Sequence, residues 1–268
     1  MFGTTGVEVP VVGQGTWPLP DRAALRYGIS LGMTHIDTAE MYGDGRSEEI
    51  VGEAISGLAR EELFIVTKVL PSNGTADGVV RACERSLRRL RTDYVDCYLL
   101  HWRGDVALDE TMRALEGLVR AGKARSIGVS NLDPWDLREA SAALERERIA
   151  CDQLLYNLRE RTTEAAELPW CRENGAAFVA YTPLARPHSA RGEAVLAEIA
   201  AHRKETKEAV ALAFLLRDAI SFVVPKANTI EHVAANARAG SIDLSADEID
   251  KIDTAFPARK RKGALPTN

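Results

Sequence analysis

The sequence predicts an α/β fold, a (β/α)8 TIM barrel in which a single domain spans residues 1–268 and an N-terminal β-hairpin closes the barrel bottom. Short apolar runs alternate with amphipathic stretches along the whole chain, which is typical of repeated β-α units around a parallel sheet. Eight such units can be counted, and 268 residues is close to the usual length of one barrel. No low-complexity linker divides the chain. An open doubly wound sheet is the alternative fold that this pattern leaves open.

Eight short apolar segments are the predicted strands. They span residues 12–16, 33–38, 63–69, 94–101, 125–130, 151–156, 177–182 and 221–225. Ahead of the first strand, residues 2–11 contain a Thr-Thr-Gly turn between extended stretches, and this pattern predicts the hairpin.

Amphipathic stretches between and after the strands predict the helices. They span residues 21–31, 47–58, 77–90, 108–121, 134–146, 163–173, 191–202, 207–216 and 229–239, with a last helix that begins within 244–248. Asp21 and Ser47 are predicted to cap the first two helices, because each has a short polar side chain that accepts a bond from a helical N–H. Ser245 and Glu248 have the spacing of a capping box.

The composition argues against several classes of protein. The net charge is −5 with acidic and basic residues interleaved, unlike the basic surface of a nucleic-acid binder. No stretch has the apolar length that spans a bilayer, and the N-terminus lacks the pattern of an export signal. The four cysteines are scattered, without the spacing of a disulfide framework. We therefore expect a cytoplasmic monomer with reduced thiols, whose partner is a small molecule rather than a nucleic acid or a membrane. A basic run at 259–262 is expected to be a solvated tail.

Four reactive side chains are predicted to converge on one face of the barrel, because catalytic groups of this fold lie at the C-terminal ends of strands. Asp37 ends the second strand and Tyr42 follows it, while Lys68 and His101 end the third and fourth strands. Each residue alone could be a cap, a loop aromatic, a solvated strand end or a core histidine. Their occurrence at successive strand ends favours a shared site.

This set of side chains suits the reduction of a carbonyl group. The forming alkoxide needs a proton, and a phenol with a pKa of about 10 is a slow donor at neutral pH. Lys68 is expected to lower the pKa of Tyr42, and Asp37 to hold Lys68 in place. His101 or Tyr42 could hydrogen-bond the carbonyl oxygen, where negative charge develops.

Residues 32–43 resemble the signature G-x-x-x-I-D-T-A-x-x-Y-G of the aldo-keto reductases. Further similar segments follow in order between residues 13 and 256: Thr67-Lys68, Leu100-His101-Trp102, Gly128-Val129-Ser130-Asn131, Ala180-Tyr181-Thr182-Pro183-Leu184 and Val224-Pro225-Lys226. Residues 101–104, 153–158 and 168–171 resemble bacterial members that reduce small α-oxoaldehydes such as methylglyoxal.

The resemblance implies an NADPH-dependent reductase of aldehydes or ketones. It implies that Asp37, Tyr42, Lys68 and His101 form the catalytic tetrad, with Tyr42 as the proton donor. It also implies a set of cofactor-binding positions along the later strand ends. For the nicotinamide, pyrophosphate and adenosine 2′-phosphate these positions are Ser130, Asn131, Gln153, Tyr181, Thr182, Leu184, Lys226, Ala227, Asn228, Thr229, His232 and Asn236.

The phosphate-binding segment departs from the family pattern K-S-x-x-x-x-R-x-x-E-N. Ala227 stands in place of the Ser, His232 in place of the Arg and Ala235 in place of the Glu. An imidazole carries less charge at neutral pH than the guanidinium that it replaces. NADPH is still expected, because Lys226 and the following helix start can contact a phosphate, and NADH is left open as the alternative.

The substrate pocket is expected to be open and weakly selective. The loop after His101 is short, and the chain ends soon after Phe256, without the long C-terminal loop of larger members. Trp17 and Trp102 are the predicted borders of this pocket, although either could pack at the barrel mouth.

Two other functions are left open by the residues themselves. Lys68 could form a Schiff base in an aldolase or lyase, or the barrel could be a binding subunit that holds a cofactor to sense redox state. Gly13-Gln14-Gly15 does not match a Rossmann fingerprint, and the five histidines lack the spacing of metal ligands, so no metal is expected.

Overall fold

The computed structural model describes residues 1–184 and 190–267 and confirms the barrel. Eight parallel strands follow one another in chain order around the sheet. They are β1 (Gln14–Gly15), β2 (His35–Asp37), β3 (Phe64–Val69), β4 (Val95–Leu100), β5 (Ala124–Ser130), β6 (Ile149–Leu155), β7 (Ala177–Tyr181) and β8 (Ser221–Val223). Val12 forms a parallel bridge with Val223, and the Gly13 N–H donates to the Val223 carbonyl at 2.8 Å, so β8 closes onto the start of the sheet.

Helices cover the outside of the sheet between and after the strands. They are α1 (Arg22–Ser30), α2 (Arg46–Ile55), α3 (Ala76–Leu90), α4 (Leu108–Arg120), α5 (Pro134–Ala142), α6 (Glu167–Asn174), α7 (Ala190–Arg203), α8 (Lys207–Leu215), α9 (Ile230–Arg238) and α10 (Ala246–Ala255). In the described part of the chain, none of them is both long and apolar enough to cross a membrane.

Two of the three predicted helix caps are present. The Asp21 carboxylate accepts from the Ala24 N–H at 2.8 Å, and Ser245 and Glu248 form the capping box. The predicted cap at Ser47 is wrong, because α2 begins one residue earlier, after Gly45 at φ +90°. Gly45 takes this left-handed backbone without the penalty of a Cβ atom. The Ser47 hydroxyl donates instead to the Thr16 carbonyl, which joins α2 to the β1 end.

The N-terminal segment closes the barrel bottom in a different form from the predicted hairpin. Gly3–Thr5 form a 3-10 turn, and the Phe2 N–H donates to the Val7 carbonyl at 2.8 Å. Phe2 is fully buried inside the barrel, with its ring 4.7 Å from that of Phe64. A Cβ atom on Gly3 would lie 1.8 Å from the Ala150 carbonyl oxygen, so only glycine allows this close entry.

Apolar side chains fill two regions. The larger lies between the strands and the surrounding helices, and the smaller lies inside the barrel, where Phe2 packs with Phe64 and Phe222. The packed interior makes the barrel a solid scaffold rather than a pore. The strand ends opposite Phe2 are therefore free to carry a site on a rigid base.

Candidate active site

The four residues predicted to be catalytic come together at the C-terminal ends of the strands. Asp37 is the last residue of β2, Lys68 lies near the end of β3 and His101 follows β4 directly. The Lys68 ammonium donates to Asp37 Oδ1 at 2.7 Å, to the Thr38 carbonyl at 2.8 Å and to the Tyr42 hydroxyl at 3.4 Å. The ammonium is completely buried, so these bonds replace its hydration shell.

Local structure holds Tyr42 over Lys68. The tight turn after β2 is anchored by Glu40, whose carboxylate accepts from the Leu70 N–H at 2.8 Å and from the Asn73 amide at 2.9 Å. The Tyr42 ring then packs edge-on between Trp17, with centroids 5.1 Å apart, and His101, with centroids 5.8 Å apart. The anchoring role of Glu40 could not be predicted from the sequence, because the atoms that it binds belong to the loop after β3.

Burial and charge set the protonation of the site at neutral pH. Burial is the largest single influence on the pKa of Lys68 and lowers it, but the Asp37 charge, the Tyr42 oxygen and the hydrogen bonds to both together exceed it. The pKa of Lys68 is therefore raised, and the side chain stays an ammonium. Burial, followed by the Lys68 charge, lowers the pKa of His101 to about 3, so its imidazole is neutral.

The expected lowering of the Tyr42 pKa is not found in the structure. Lys68 does favour the phenolate, but burial is the larger effect and raises the pKa of Tyr42 above its ordinary value of 10.0. Tyr42 is therefore a protonated hydroxyl beside an ammonium, which is the arrangement of a proton donor whose conjugate base is stabilised after the proton has left.

A second group of predicted residues forms one hydrogen-bond network with the first. The Gln153 amide donates to Asp37 Oδ2 at 2.6 Å, a contact that the sequence did not indicate. The Ser130 hydroxyl donates to the Gln153 carbonyl at 2.8 Å. Asn131 donates to the His101 carbonyl at 3.2 Å and accepts from the Tyr181 hydroxyl at 2.8 Å, which fixes the tilt of the Tyr181 ring at the end of β7.

A cleft of about 900 Å³ opens over these residues. Trp17 and Trp102, the two residues predicted to border a substrate pocket, line this cleft, and Trp17 is half exposed. Tyr181, Thr182 and Leu184 line the same cleft from the β7 side.

The residues predicted to bind the 2′-phosphate are divided between two places. Lys226 lines the large cleft, whereas Ala227 and Asn236 line a small separate cavity behind β1. Asn228 accepts from the Asp21 N–H at 3.1 Å, and Thr229 caps α9 by accepting from the His232 N–H at 3.3 Å. The side chain of His232 is exposed at the first turn of α9.

The cleft is less open than the sequence predicted, because the C-terminal segment lines one side of it. Ala264, Leu265 and Thr267 line the cleft, so the chain beyond Phe256 contributes a wall. The basic run was expected to be solvated, but Arg261 lies against α6, where it pairs with Glu167 at 2.6 Å.

The short loop after His101 is held in place at the cleft mouth. Arg103 pairs with Glu139 at 2.7 Å and with Asp136 at 2.5 Å, both on α5. Arg103, Asp133 and Asp136 are cleft residues that the sequence did not single out. Across residues 1–184 and 190–267, no three His, Cys, Asp or Glu side chains cluster as metal ligands would.

Residues 13–256 match the sequence model of the Aldo/keto reductase family. The chain is 45% identical to methylglyoxal reductase YeaE of Escherichia coli over 97% of this chain and 95% of that protein. It is 34% identical to glyoxal reductase of Bacillus subtilis over 97% and 94% of the two chains. A crystal structure of an aldo-keto reductase from Klebsiella pneumoniae in complex with NADPH superposes with a TM-score of 0.91, at 43% identity over 97% and 95% of the two chains.

Proposed function

This chain belongs to the aldo/keto reductase family, and from that premise we propose that it reduces small 2-oxoaldehydes such as methylglyoxal with NADPH, Tyr42 being the proton donor. The observation that carries the proposal is the position of the buried Lys68 ammonium, bonded both to the Asp37 carboxylate and to the Tyr42 hydroxyl. Family membership by itself indicates a reductase of carbonyl compounds. The proposal adds the class of substrate and the proton donor.

The residues around the cleft fit a dinucleotide cofactor. One continuous cleft connects Tyr42 and His101 with Leu184 and Lys226, and its volume lies within the range of about 300–1,000 Å³ that small-molecule sites occupy. When bound, NADPH supplies the hydride. Ser130, Asn131 and Gln153 would hold the nicotinamide carboxamide, and the Tyr181 ring would lie against the nicotinamide face.

The phosphate end of the cleft fits NADPH through charge and a helix terminus. Lys226 lies in the cleft, and α9 begins after Thr229, three residues further along the chain, with the positive end of its dipole at that terminus. Thr182 and Leu184 would border the pyrophosphate, and the exposed His232 is close to the α9 start. The crystal structure of an aldo-keto reductase in complex with NADPH, at 43% identity, supports NADPH as a cofactor.

The proton transfer follows from the three buried groups. As the carbonyl carbon gains hydride, the C=O π pair moves to oxygen, and the Tyr42 hydroxyl donates its proton to that oxygen. The Lys68 ammonium stabilises the tyrosinate that remains, until solvent returns a proton. His101 is neutral, so it can donate one hydrogen bond to the carbonyl oxygen without competing as an acid.

The choice of 2-oxoaldehydes is supported by the relatives and by the cleft. The two relatives described above are named methylglyoxal reductase and glyoxal reductase. Trp17 packs against Tyr42 and Trp102 against His101, so the cleft carries two apolar rings beside these residues. The Arg103 cation is already paired with Asp136 and Glu139. A small uncharged dicarbonyl suits this surface better than a substrate that must bring a carboxylate.

The two other functions are less consistent with the geometry. A Schiff base requires a neutral, accessible amine, whereas Lys68 is fully buried and its pKa is raised. A cofactor-sensing subunit would not need Tyr42 beside Lys68. We further infer a monomer, and a location in the cytoplasm, where reduced thiols such as the four buried free cysteines are usual.

Replacement of Tyr42 by Phe tests the assignment directly. Removing the donor hydroxyl should lower the rate of methylglyoxal reduction by about 10²–10⁴-fold, the usual contribution of a positioned acid. The decrease in NADPH absorbance measures the rate, and quenching of tryptophan fluorescence measures NADPH binding, which should change less than about twofold. Normal turnover by Y42F would show that another group supplies the proton. Tight NADPH binding without turnover of any reactive aldehyde by the unmodified protein would instead favour the sensing subunit.

A further inference from the structure

An ion pair with a buried carboxylate joins the C-terminal segment, residues 257–267, to α6. After Phe256 the chain passes four exposed residues and reaches Arg261, which is partly buried. Arg261 Nη1 lies 2.6 Å from Glu167 Oε1. Glu167 is the first residue of α6 and is completely buried. The other cations of the basic run, Arg259, Lys260 and Lys262, are exposed.

The surroundings of Glu167 make Arg261 its important partner. Burial raises the pKa of Glu167, and the Arg261 charge is the next largest influence and opposes this rise. Glu167 Oε2 has no hydrogen-bond partner among the described residues. A carboxylate in this position is costly unless a cation accompanies it, so the pair fixes Arg261 against α6 more firmly than a solvated ion pair would.

The segment turns into the cleft directly after this pair. Gly263 has φ +91°, a left-handed backbone that bends the chain toward the strand ends. Leu265 then packs on the hydrophobic core and, together with Ala264 and Thr267, lines the cleft. Leu265 lies only four residues after Arg261, so the position of the wall depends on the ion pair.

We propose that Arg261 and Glu167 form a latch that holds residues 264–267 as a wall of the substrate cleft, which makes Arg261 a specificity-determining positioning residue. This inference rests on the proposed function, because it assigns the cleft to a small carbonyl substrate. With the latch closed, Leu265 narrows the cleft and contacts a small substrate. With the latch open, the wall moves away, small substrates lose contact and bulky ones gain room.

The test compares Arg261→Ala with Lys260→Ala. Both variants remove one positive charge and one trypsin site from the same segment, but only Arg261→Ala breaks the latch. The ratio of kcat/KM for an aromatic aldehyde to that for methylglyoxal should rise about tenfold in R261A, the usual effect of a small change in a pocket wall. The rise should come from KM, with kcat for methylglyoxal within about twofold. K260A should behave like the unmodified enzyme.

Trypsin provides a readout that does not need catalysis. Release of the C-terminal peptide, followed by mass spectrometry, should be about tenfold faster in R261A than in K260A. Glu167→Gln should reproduce the change, and R261A added to E167Q should change the ratio no further, because the two residues act as one unit. Equal peptide release from R261A and K260A would overturn the latch, as would an additional effect of R261A in E167Q.

The two proposals can fail separately. If the unmodified protein reduces no carbonyl, the specificity role falls with the proposed function, while peptide release still decides whether the latch exists. If methylglyoxal is reduced but the substrate ratio is the same in R261A and K260A, the function stands and the specificity role is refuted.

Discussion

Among single residues, the Asp37 carboxylate connects the two halves of the site. Its Oδ1 accepts from Lys68 at 2.7 Å and its Oδ2 from Gln153 at 2.6 Å. One oxygen therefore binds Lys68, which is proposed to assist proton transfer, and the other binds Gln153, which is proposed to hold the cofactor. A carboxylate with both oxygens bonded inside a barrel is well fixed in orientation, and it fixes Lys68 in turn.

The buried histidines make stability depend on pH. The pKa of His101 is lowered to about 3 and that of His35 to about 4, in both cases chiefly by burial. In the unfolded chain both residues have a pKa of about 6.5. Below that pH the two histidines are protonated in the unfolded chain but remain neutral in the folded chain. Their contribution to stability is fully present above about pH 6.5 and is lost as the pH falls toward 4 and 3.

Replacement of His101 by Gln should remove one of the two histidines that make the free energy of unfolding depend on pH. Between pH 5 and 6, which lies above the ordinary pKa of carboxylates, each proton bound only by the unfolded chain gives the free energy of unfolding a slope of up to about 1.4 kcal/mol per pH unit. The free energy of unfolding from urea titrations should therefore change less steeply with pH in H101Q than in the unmodified protein, by about this amount. Identical slopes would mean that His101 is protonated in the folded state at these pH values.

The convergence of the four catalytic candidates could be predicted from the sequence, because strand ends of a parallel barrel meet on one face. The direction in which the pKa of Tyr42 is shifted could not be predicted in this way. The sign of its pKa shift depends on how deeply the ring is buried, which is a property of packing by Trp17 and His101. The contact between Gln153 and Asp37 joins residues 116 positions apart and leaves no periodic signal in the sequence.

For the helices, starts could be predicted where one side chain caps its own helix. Asp21 and Ser245 are such cases, because the donor and the acceptor are three residues apart. The start of α2 was misassigned because a backbone conformation at Gly45, rather than a side chain, determines it. The N-terminal segment that closes the barrel bottom was misassigned as a hairpin for a similar reason. Its conformation depends on the packing of Phe2 against rings on distant strands.

The start of α9 is the element that should decide between NADPH and NADH. His232 is exposed in its first turn, where the helix terminus already favours an anion. His232→Arg adds a planar cation that can bond a 2′-phosphate through two N–H groups. The ratio of Kd for NADH to Kd for NADPH should rise about tenfold, which corresponds to about 1.4 kcal/mol, as measured by fluorescence titration.

The matched control for this substitution is His202→Arg. His202 is an exposed histidine near the end of α7, so H202R makes the same chemical change away from α9. The ratio should be unchanged in this variant. An unchanged ratio in H232R as well would show that residue 232 does not face the phosphate.

Considering the whole molecule, the cleft is built by nearly every part of the barrel. It is lined by residues at β1, β2, β4, β6, β7 and β8 and by the C-terminal segment, as represented by Gly15, Asp37, His101, Gln153, Tyr181, Val224 and Leu265. The family and the barrel could be predicted from motifs in their order along the chain. The wall formed by the C-terminal segment could not, because Glu167 and Arg261 are 94 residues apart and nothing local pairs them.

A ligand that bridges so many strand ends should stabilise the barrel as a unit. Because NADPH would bind only the folded chain, a concentration 100 times its Kd should raise the free energy of unfolding by about 2.7 kcal/mol. For a chain of this size the corresponding rise in Tm is about 5–10 °C, measurable by circular dichroism with and without the cofactor. Lys226→Ala should keep its Tm in the absence of NADPH, since Lys226 is partly exposed at the cleft, and should show a smaller rise at the same NADPH concentration. A Tm that does not respond to NADPH in the unmodified protein would mean that the cleft does not hold this cofactor, because tight binding to the folded state cannot leave the unfolding equilibrium unchanged.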